Sequence, residues 1–540
     1  MKLITKAVLA IALLIVAGCA TQQKKSIETE PPPKPPDVSL HEAALLGDTD
    51  AVRQHIKAGT DLNGKDAYGS TPLIVTITFG KNDVARALIE GGADITMGNN
   101  EGSTPLHIAA FFGRTEIVRT LLDNDADRYL RNSDGATAYD MAAAPFEDDR
   151  WLFDRLLTGL APLGLKLDYT EIGKSRSEIA GMLRPAPGEL ENVDYTPLPG
   201  GDWKVSTPAA QGLDPRLVAE LYLEAATMEN LYGLLVVKNG HLIAEGYFNE
   251  GSVEQKVRLQ SVTKSFTSAL VGIALEQGYL SSVDQKMTDF FPELAGKITD
   301  PRKEQITIRH LLQMRAGYPW EETTQELFEI LYGGFYPSYL VEFPLSRDPG
   351  TGFEYSNLTS HILGIIVARA CGTNLKAYAE EHLFSPMNVE AGEWIRDWEG
   401  YYNGHADLHL KARDVAKFGL LYLGGGEYGG KQVISANWVA ESLENYSTDA
   451  WVNEPDENKM GRYFRDLGYG YQWWSATVGD RRIPFAWGHG GQLIVLLHDI
   501  DMIVVVTADP QFGKHGDRAW GHEQGDFNLV GRFISLLPVE

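Results

Sequence analysis

Leu259-Gln260-Ser261-Val262-Thr263-Lys264-Ser265-Phe266 is the stretch from which the larger part of this 540-residue chain can be read. Phe266, Leu270, Ile273 and Ala274 recur at helical spacing after it, so Ser261 opens a buried helix and Lys264 lies one turn along. Residues three apart on a helix are neighbours, and the lysine amine can reach the serine hydroxyl. A hydroxyl is a weak nucleophile until an adjacent base takes its proton. A lysine held neutral by burial or nearby charge can be that base. The helix N-terminus adds positive potential and N–H groups where an oxyanion would form. The plainer reading is a serine N-cap followed by an exposed lysine. Against it, Ser-x-x-Lys occurs only here in the chain and opens a strongly apolar helix.

Moving outward, Gly233 to Lys238 and His241 to Glu245 flank Asn239-Gly240, the strongest short hairpin signal. Downstream, Pro349-Gly350-Thr351-Gly352-Phe353-Glu354-Tyr355-Ser356-Asn357 leads into an apolar helix from His361 to Ala370. Its Tyr-Ser-Asn can place a phenol and an amide at a cleft edge; alternatively, it is an N-cap turn. Last comes Trp487-Gly488-His489-Gly490-Gly491-Gln492-Leu493-Ile494-Val495, followed by the apolar run Met502 to Thr507. Read as a strand, its glycines let a ligand approach the backbone. Strands at both ends of this region predict one antiparallel sheet.

Ser261-x-x-Lys264, Tyr355-Ser356-Asn357 and His489-Gly490-Gly491 stand in the order and at about the spacing of the three motifs of serine β-lactamase-like enzymes. The resemblance runs from about Val205 to Glu540 and is nearest the class C-like branch, which includes D-aminopeptidases, carboxylesterases and aminohexanoate-oligomer hydrolases. Gly488 to Gln492 and Ala406 to Trp438 read most like the last group. The resemblance implies that Ser261 is acylated and that Lys264 is its proton partner. It makes Tyr355 the acid/base for the leaving group and the deacylating water, and has Asn357 bond Lys264 and substrate. It implies an oxyanion hole from the backbone N–H groups of Ser261 and Gln492, with His489, Gly490 and Gly491 beside the substrate. No cofactor or metal is implied. His489 stands where β-lactamases usually carry lysine, which removes a fixed cation for a β-lactam carboxylate. Esters or small amides are therefore expected to be better substrates than β-lactams. Tyr318, Trp320, Trp398, Tyr401, Tyr402, Trp473, Trp474 and Trp487 are candidates for an acyl pocket or for core. His405-x-Asp407-x-His409 could bind metal if it were a strand, but is read as a loop. There is no Gly-x-Ser-x-Gly elbow, which disfavours an α/β-hydrolase.

Before this region, Thr71-Pro72-Leu73 recurs as Thr104-Pro105-Leu106 and, degraded, as Thr137-Ala138-Tyr139. Gly69, Gly102 and Gly135 precede them at a spacing of 33. Thr104-Pro105-Leu106-His107-Ile108-Ala109-Ala110 resembles the ankyrin signature closely, and an array of about four units is expected. Asp125 replaces a usual loop glycine, and the last unit reads as a cap. Such an array is either a protein-binding surface or a spacer. Met1 to Gly18 has a basic start and a short apolar core, ending in Val16-Ala17-Gly18-Cys19. It resembles a bacterial lipoprotein signal, and the proline-rich tract after it a tether. Ala20 after the cysteine favours the outer membrane in such proteins. The resulting expectation is a lipid anchor at Cys19 in the cell envelope, facing the periplasm.

The expected division is signal 1–18, tether 19–38, ankyrin repeats 39–160, linker 161–204 and hydrolase domain 205–540. The fold class is α+β: an all-α ankyrin solenoid, then a β-lactamase-like domain with an antiparallel sheet flanked by helices and a helical subdomain. A net charge of −25 offers no basic field for nucleic acid. The expected partners are a small ester or amide, a protein on the ankyrin surface, and the membrane through the anchor. The alternatives are a D-amino-acid peptidase or carboxypeptidase on cell-wall peptides, and a non-catalytic envelope binding protein.

Overall fold

The computed structural model describes residues 33–325, 340–448, 450, 460–512 and 519–539. The expected leader and Cys19 lie outside the described residues. The described chain begins with paired short helices, Leu40–Leu46 with Thr49–Lys57, Pro72–Thr78 with Asn82–Glu90, and Pro105–Phe111 with Thr115–Asp123. Thr71 and Thr104 are the N-caps of the first helices in the second and third pairs, each with proline in the first turn, where its missing N–H costs nothing. Asp66, Asn99 and Asn132 each accept a backbone N–H four residues on. These bonds close the tight turns that hold Gly69, Gly102 and Gly135. In the loops after the second helices, Asp125 takes a left-handed φ of 60°, in register with Gly59 and Gly92 at 70° and 89°. An aspartate tolerates that conformation at modest cost.

The segment expected to be a linker, 161–204, is corrected by the structure. It contains a helix, Tyr169–Leu183, whose Ile179 and Leu183 join the apolar core of the array, while Ile172 packs with Phe111, Phe112 and Phe153. Glycines and serines dilute its apolar stripe, so its periodicity is weak in the sequence. The open end of the last repeat supplies the partner surface.

The following domain carries a seven-stranded antiparallel sheet in the order β2-β1-β11-β10-β9-β8-β7. Its strands are β1 (Leu231–Lys238) and β2 (His241–Tyr247), then β7 (Arg465–Tyr469), β8 (Trp474–Val478), β9 (Arg481–Gly488), β10 (Gln492–Leu497) and β11 (Met502–Ala508). Two small pairs lie apart, β3 (Lys256–Arg258) with β4 (His409–Lys411), and β5 (Glu427–Tyr428) with β6 (Lys431–Gln432). Both turn residues of the first hairpin, Asn239 and Gly240, have positive φ, as a twist-matched two-residue turn requires. The central strands are apolar throughout because both sheet faces are covered. Leu235, Ile494 and Val505 face one core with the helix Thr263–Glu276, and Leu234, Leu493 and Val506 face another with the C-terminal helix, Ala519–Ser535.

Residues Thr263 to Ala274 are all buried. A helix buried all round lies inside the domain rather than on its surface. Its hydroxyls find carbonyls: Ser265 donates to Gln472 O and Thr267 to Gly404 O, both at 2.7 Å.

The array packs on this domain through polar and ring contacts. Arg131 pairs with Glu224 at 2.6 Å, Tyr463 donates to Asp140 at 2.8 Å, and the Arg532 guanidinium lies 3.6 Å from the centre of the Tyr139 ring. A Cβ on Gly135 would lie 2.1 Å from the Gly521 carbonyl oxygen, so the last repeat turn is seated directly on the C-terminal helix.

Candidate active site

Ser261 lies in a short 3-10 turn, Gln260–Val262, just before its helix, and Gln260 is held at φ 49°. Lys264, fully buried, places its amine 2.7 Å from Ser261 Oγ, 2.8 Å from Asn357 Oδ1 and 3.0 Å from the His405 carbonyl oxygen. Burial pulls the lysine pKa down to about 7, against the opposing pull of Glu322, Glu321 and Asp407. In the charged lysine all three contacts are donations by the ammonium, and in the neutral amine the geometry assigns the protons differently. A neutral amine has two hydrogens, and the two carbonyl-type oxygens, which can only accept, take both. The lone pair is then left for the serine hydroxyl to donate to, which is the arrangement a nucleophile–base pair needs.

Asn357 opens the helix Asn357–Cys371, and Ser356 is its N-cap. The capping reading of Tyr355-Ser356-Asn357 holds for Ser356, and the same turn brings Asn357 to Lys264. The amide nitrogen of Asn357 donates one of its two hydrogens to Glu322 Oε1 at 2.9 Å. Tyr355 is half-buried. Its ring centre is 5.0 Å from the Lys264 amine, stacks on Trp474 at 5.6 Å and meets Trp320 edge-on. Of the aromatic candidates, Trp320, Trp474 and Trp487 thus belong to one connected group around Tyr355. Tyr318 and Trp473 are core, Trp474 and Trp487 are themselves buried in the core on the other side of the sheet, Trp320 is half-buried and Trp398 is 73% exposed.

The strand expected at His489-Gly490-Gly491 is corrected. β9 ends at Gly488 and β10 starts at Gln492, paired directly with it, so the three residues form the hairpin loop. Gly490 and Gly491 have φ of 82° and 92°, which cannot continue a strand. Their missing side chains make room for the protein itself. A Cβ on Gly490 would meet Pro510 at 2.5 Å, and one on Gly491 would meet Asp526 Oδ2 at 1.9 Å. Gly488 is set against the turn that carries Ser261, where a Cβ would lie 3.1 Å from the Ser261 nitrogen. Gln492 uses its side chain to zip the sheet, donating to Ala508 O and accepting from Ala508 N. Asp407 is bonded by Arg258 Nε at 2.6 Å and by Asn403 at 2.7 Å. Among the described residues no three groups converge as metal ligands.

The residues missed in the sequence are carboxylates. Glu321 is fully buried and accepts three donors, Ser356 Oγ at 2.5 Å, Asn357 N at 2.9 Å and Leu358 N at 3.0 Å. Burial raises its pKa to about 7. It holds the helix start that carries Asn357, and no spacing rule links it to a segment 35 residues on. Glu321→Gln offers a single acceptor and turns an amide N–H₂ toward backbone donors. It is expected to cost about 2 kcal/mol of stability and to slow turnover more than it changes KM. Urea unfolding and steady-state kinetics check both.

The site is thus a half-buried serine beside a fully buried lysine that an asparagine also holds, at the start of a helix packed against an antiparallel sheet. The chain belongs to the beta-lactamase family, whose model matches residues 224–524, and the model for ankyrin repeats (three copies) matches residues 40–132. It is 26% identical over 286 residues to a 6-aminohexanoate-dimer hydrolase of Paenarthrobacter ureafaciens, covering 50% of this chain and 70% of that protein. It is also 35% identical over 133 residues to a probable fimbrial assembly protein FimD, serogroup H1, of Dichelobacter nodosus, covering 24% of this chain and a third (33%) of that one. Among solved structures, a penicillin-binding protein homolog from Caulobacter crescentus is 13% identical with a TM-score of 0.46, covering 60% of this chain and 99% of that one.

Proposed function

We propose that this chain is a serine hydrolase that cleaves an ester or amide through an acyl-enzyme on Ser261. The observation that carries this reading is the buried Lys264 amine, 2.7 Å from Ser261 Oγ and with its pKa pulled to about 7. In the first half-reaction Ser261 Oγ attacks the carbonyl carbon and its proton passes to Lys264. The backbone N–H groups of Ser261 and Gln492 receive the oxyanion. Tyr355, over the Lys264 amine, passes a proton to the leaving alcohol or amine. Tyr355 recovers a proton from the protonated Lys264, and water then attacks the acyl carbon, its proton passing through the same groups to Ser261 Oγ as the acyl–Oγ bond breaks and the acid leaves. The aromatic group of Trp320, Trp474 and Trp487 suits an apolar acyl or amine portion. The 6-aminohexanoate-dimer hydrolase likeness supports a small linear amide or ester rather than a β-lactam. The ankyrin array is proposed to carry a protein partner on the surface it does not spend on the hydrolase domain. A lipid anchor at Cys19 would hold the protein at the cell envelope.

Labelling with a fluorophosphonate probe, read by intact mass, tests the nucleophile. One adduct is expected on the wild type and none on Ser261→Ala, with turnover of a short-chain p-nitrophenyl ester lost in parallel. Equal labelling of both proteins would overturn the reading.

A further inference from the structure

The acyl-enzyme route depends on the His405 carbonyl, and no group in the route itself holds that carbonyl in place. Three successive carbonyls on the segment 403–405 each accept a side-chain donor. Asn403 O accepts Trp394 Nε1 at 2.8 Å, Gly404 O accepts Thr267 Oγ1 at 2.7 Å, and His405 O accepts Lys264 Nζ at 3.0 Å. Gly404 is locked between the helices Thr263–Glu276 and Asn357–Cys371, where a Cβ would lie 2.3 Å from Ser360 O and 3.1 Å from Gly364 N. Its own N–H donates to His361 Nδ1 at 3.4 Å, and His361 Nε2 stands 3.0 Å from Asp397 Oδ2. Both side chains are buried, His361 at 2% and Asp397 at 8% exposure. His361 lies one turn after Asn357 on the same helix. One helix therefore reaches Lys264 twice, directly through the Asn357 amide and at one remove through His361 and Gly404.

A backbone N–H can only donate, so His361 Nδ1 is an acceptor and carries no proton. Nε2 then carries the hydrogen of the neutral ring and donates it to Asp397. An imidazolium would set a second N–H against that of Gly404. Asp397 is the fixed end of this chain, because its Oδ1 accepts from Glu399 N at 2.9 Å and from Tyr401 N at 2.8 Å, which leaves Oδ2 for the ring. Burial pushes the Asp397 pKa up, but the ring and these N–H groups outweigh burial and hold it below the usual carboxylate range. We propose that His361, oriented by Asp397, is a positioning residue that seats Gly404 and so aims the His405 carbonyl at Lys264. The catalytic consequence rests on the Ser261 reading, whereas the tautomer does not. With one hydrogen of the neutral amine on His405 O and the other on Asn357 Oδ1, the lone pair faces Ser261 Oγ. An amine without the carbonyl can turn a hydrogen toward the serine instead, and in that orientation it is no base.

Asp397→Asn is the direct test. Asparagine keeps its oxygen on the two backbone N–H groups and turns its N–H₂ to the ring, so the ring hydrogen moves to Nδ1 and opposes the Gly404 N–H. In the full chain carrying ¹⁵N-labelled histidine, with the His361 signals assigned by His361→Asn, the wild type is expected to show protonated Nε2 and unprotonated Nδ1. Asp397→Asn is expected to show the reverse. On a p-nitrophenyl ester it should lower kcat by about 10- to 100-fold and leave KM little changed. The pH profile should move as well. An ammonium gains more from a carbonyl than a neutral amine does, so losing His405 O shifts the ascending limb of kcat/KM to lower pH. The other titratable groups around the amine, Glu321, Glu322, Asp407, Tyr355 and the His405 ring, are the same residues in every variant. His361→Asn places an amide oxygen where Nδ1 stood and should keep most of the rate, and Asp397→Asn made in it should cost nothing further. His361→Leu offers no acceptor and should lose as much as Asp397→Asn; this pair decides the matter should Asp397→Asn fail to fold. An unchanged tautomer in Asp397→Asn, an unmoved limb, or equal losses in His361→Asn and His361→Leu would overturn the proposal. Failure of the Ser261 reading looks different: neither wild type nor variant turns over ester, while the nitrogen signals still report the Asp397–His361 pair.

Discussion

Lys264→Met is expected to lower kcat/KM for ester hydrolysis by roughly 10²- to 10⁴-fold, the range a positioned general base contributes, with little loss of fold. Methionine fills a similar volume and removes a buried amine whose desolvation is already the main influence on its pKa. The three oxygens that lose their partner differ in consequence. Asn357 Oδ1 and His405 O lose a donor, which is a stability cost, while Ser261 Oγ loses its base, which is a rate cost. In the wild type the active form carries neutral lysine, so kcat/KM should rise with pH through about 7 and fall away below it, as the amine protonates. Glu321 titrates in the same region and its ionised form favours charged lysine, so the ascending limb belongs to the pair. Removing that charge in Glu321→Gln should move the limb toward lower pH. Profiles of kcat/KM from pH 5 to 9 for the wild type and both variants check the direction. A wild-type profile that falls as pH rises through 7 would exclude lysine as the base.

Asp149→Ala is expected to destabilise the chain by about 3–5 kcal/mol, the cost of breaking a buried ion pair from one side. Asp149 lies on the helix Phe146–Leu160 and accepts Arg176 at 2.7 Å from the helix beside it, and Arg462 at 2.7 and 2.8 Å from the hydrolase domain. Arg176 is 2% exposed. Without the carboxylate two guanidinium groups face each other in the interior, and that repulsion already acts on Arg176. The bond that fails is one that joins the array to the hydrolase domain, so calorimetry should show one transition splitting into two. Asp148→Ala removes a neighbouring, half-exposed pair with Arg465 and should cost under about 1 kcal/mol. Equal effects of the two substitutions would show that the domain contact does not depend on the buried carboxylate.

Much of this organisation was legible because it is local. The 33-residue repeat, the threonine caps and the Asn239-Gly240 turn each act within a few residues, so their physics is written in adjacent letters. The three separated motifs were legible through resemblance, and the structure gathers Ser261, Lys264, Tyr355 and Asn357. The glycines after His489 were read for the correct feature, closeness, but for the wrong neighbour. In a strand they would admit a ligand, whereas in the hairpin loop they admit Pro510 and Asp526. The helix Tyr169–Leu183 was missed because its apolar residues are sparse and gain their meaning only from the end of the array.

By itself the sequence determined the repeat period, the Asn239-Gly240 hairpin, the approach of Lys264 to Ser261 and the family. The tertiary structure alone decided which carboxylates are buried and what they hold: Glu321 at the start of the Asn357 helix, Glu523 on the Trp487 indole and Asp149 between the domains. A carboxylate's role depends on the water removed around it and on the donors brought to it. Those donors come from segments 27 to 313 residues away, a distance over which no periodicity in the chain carries information.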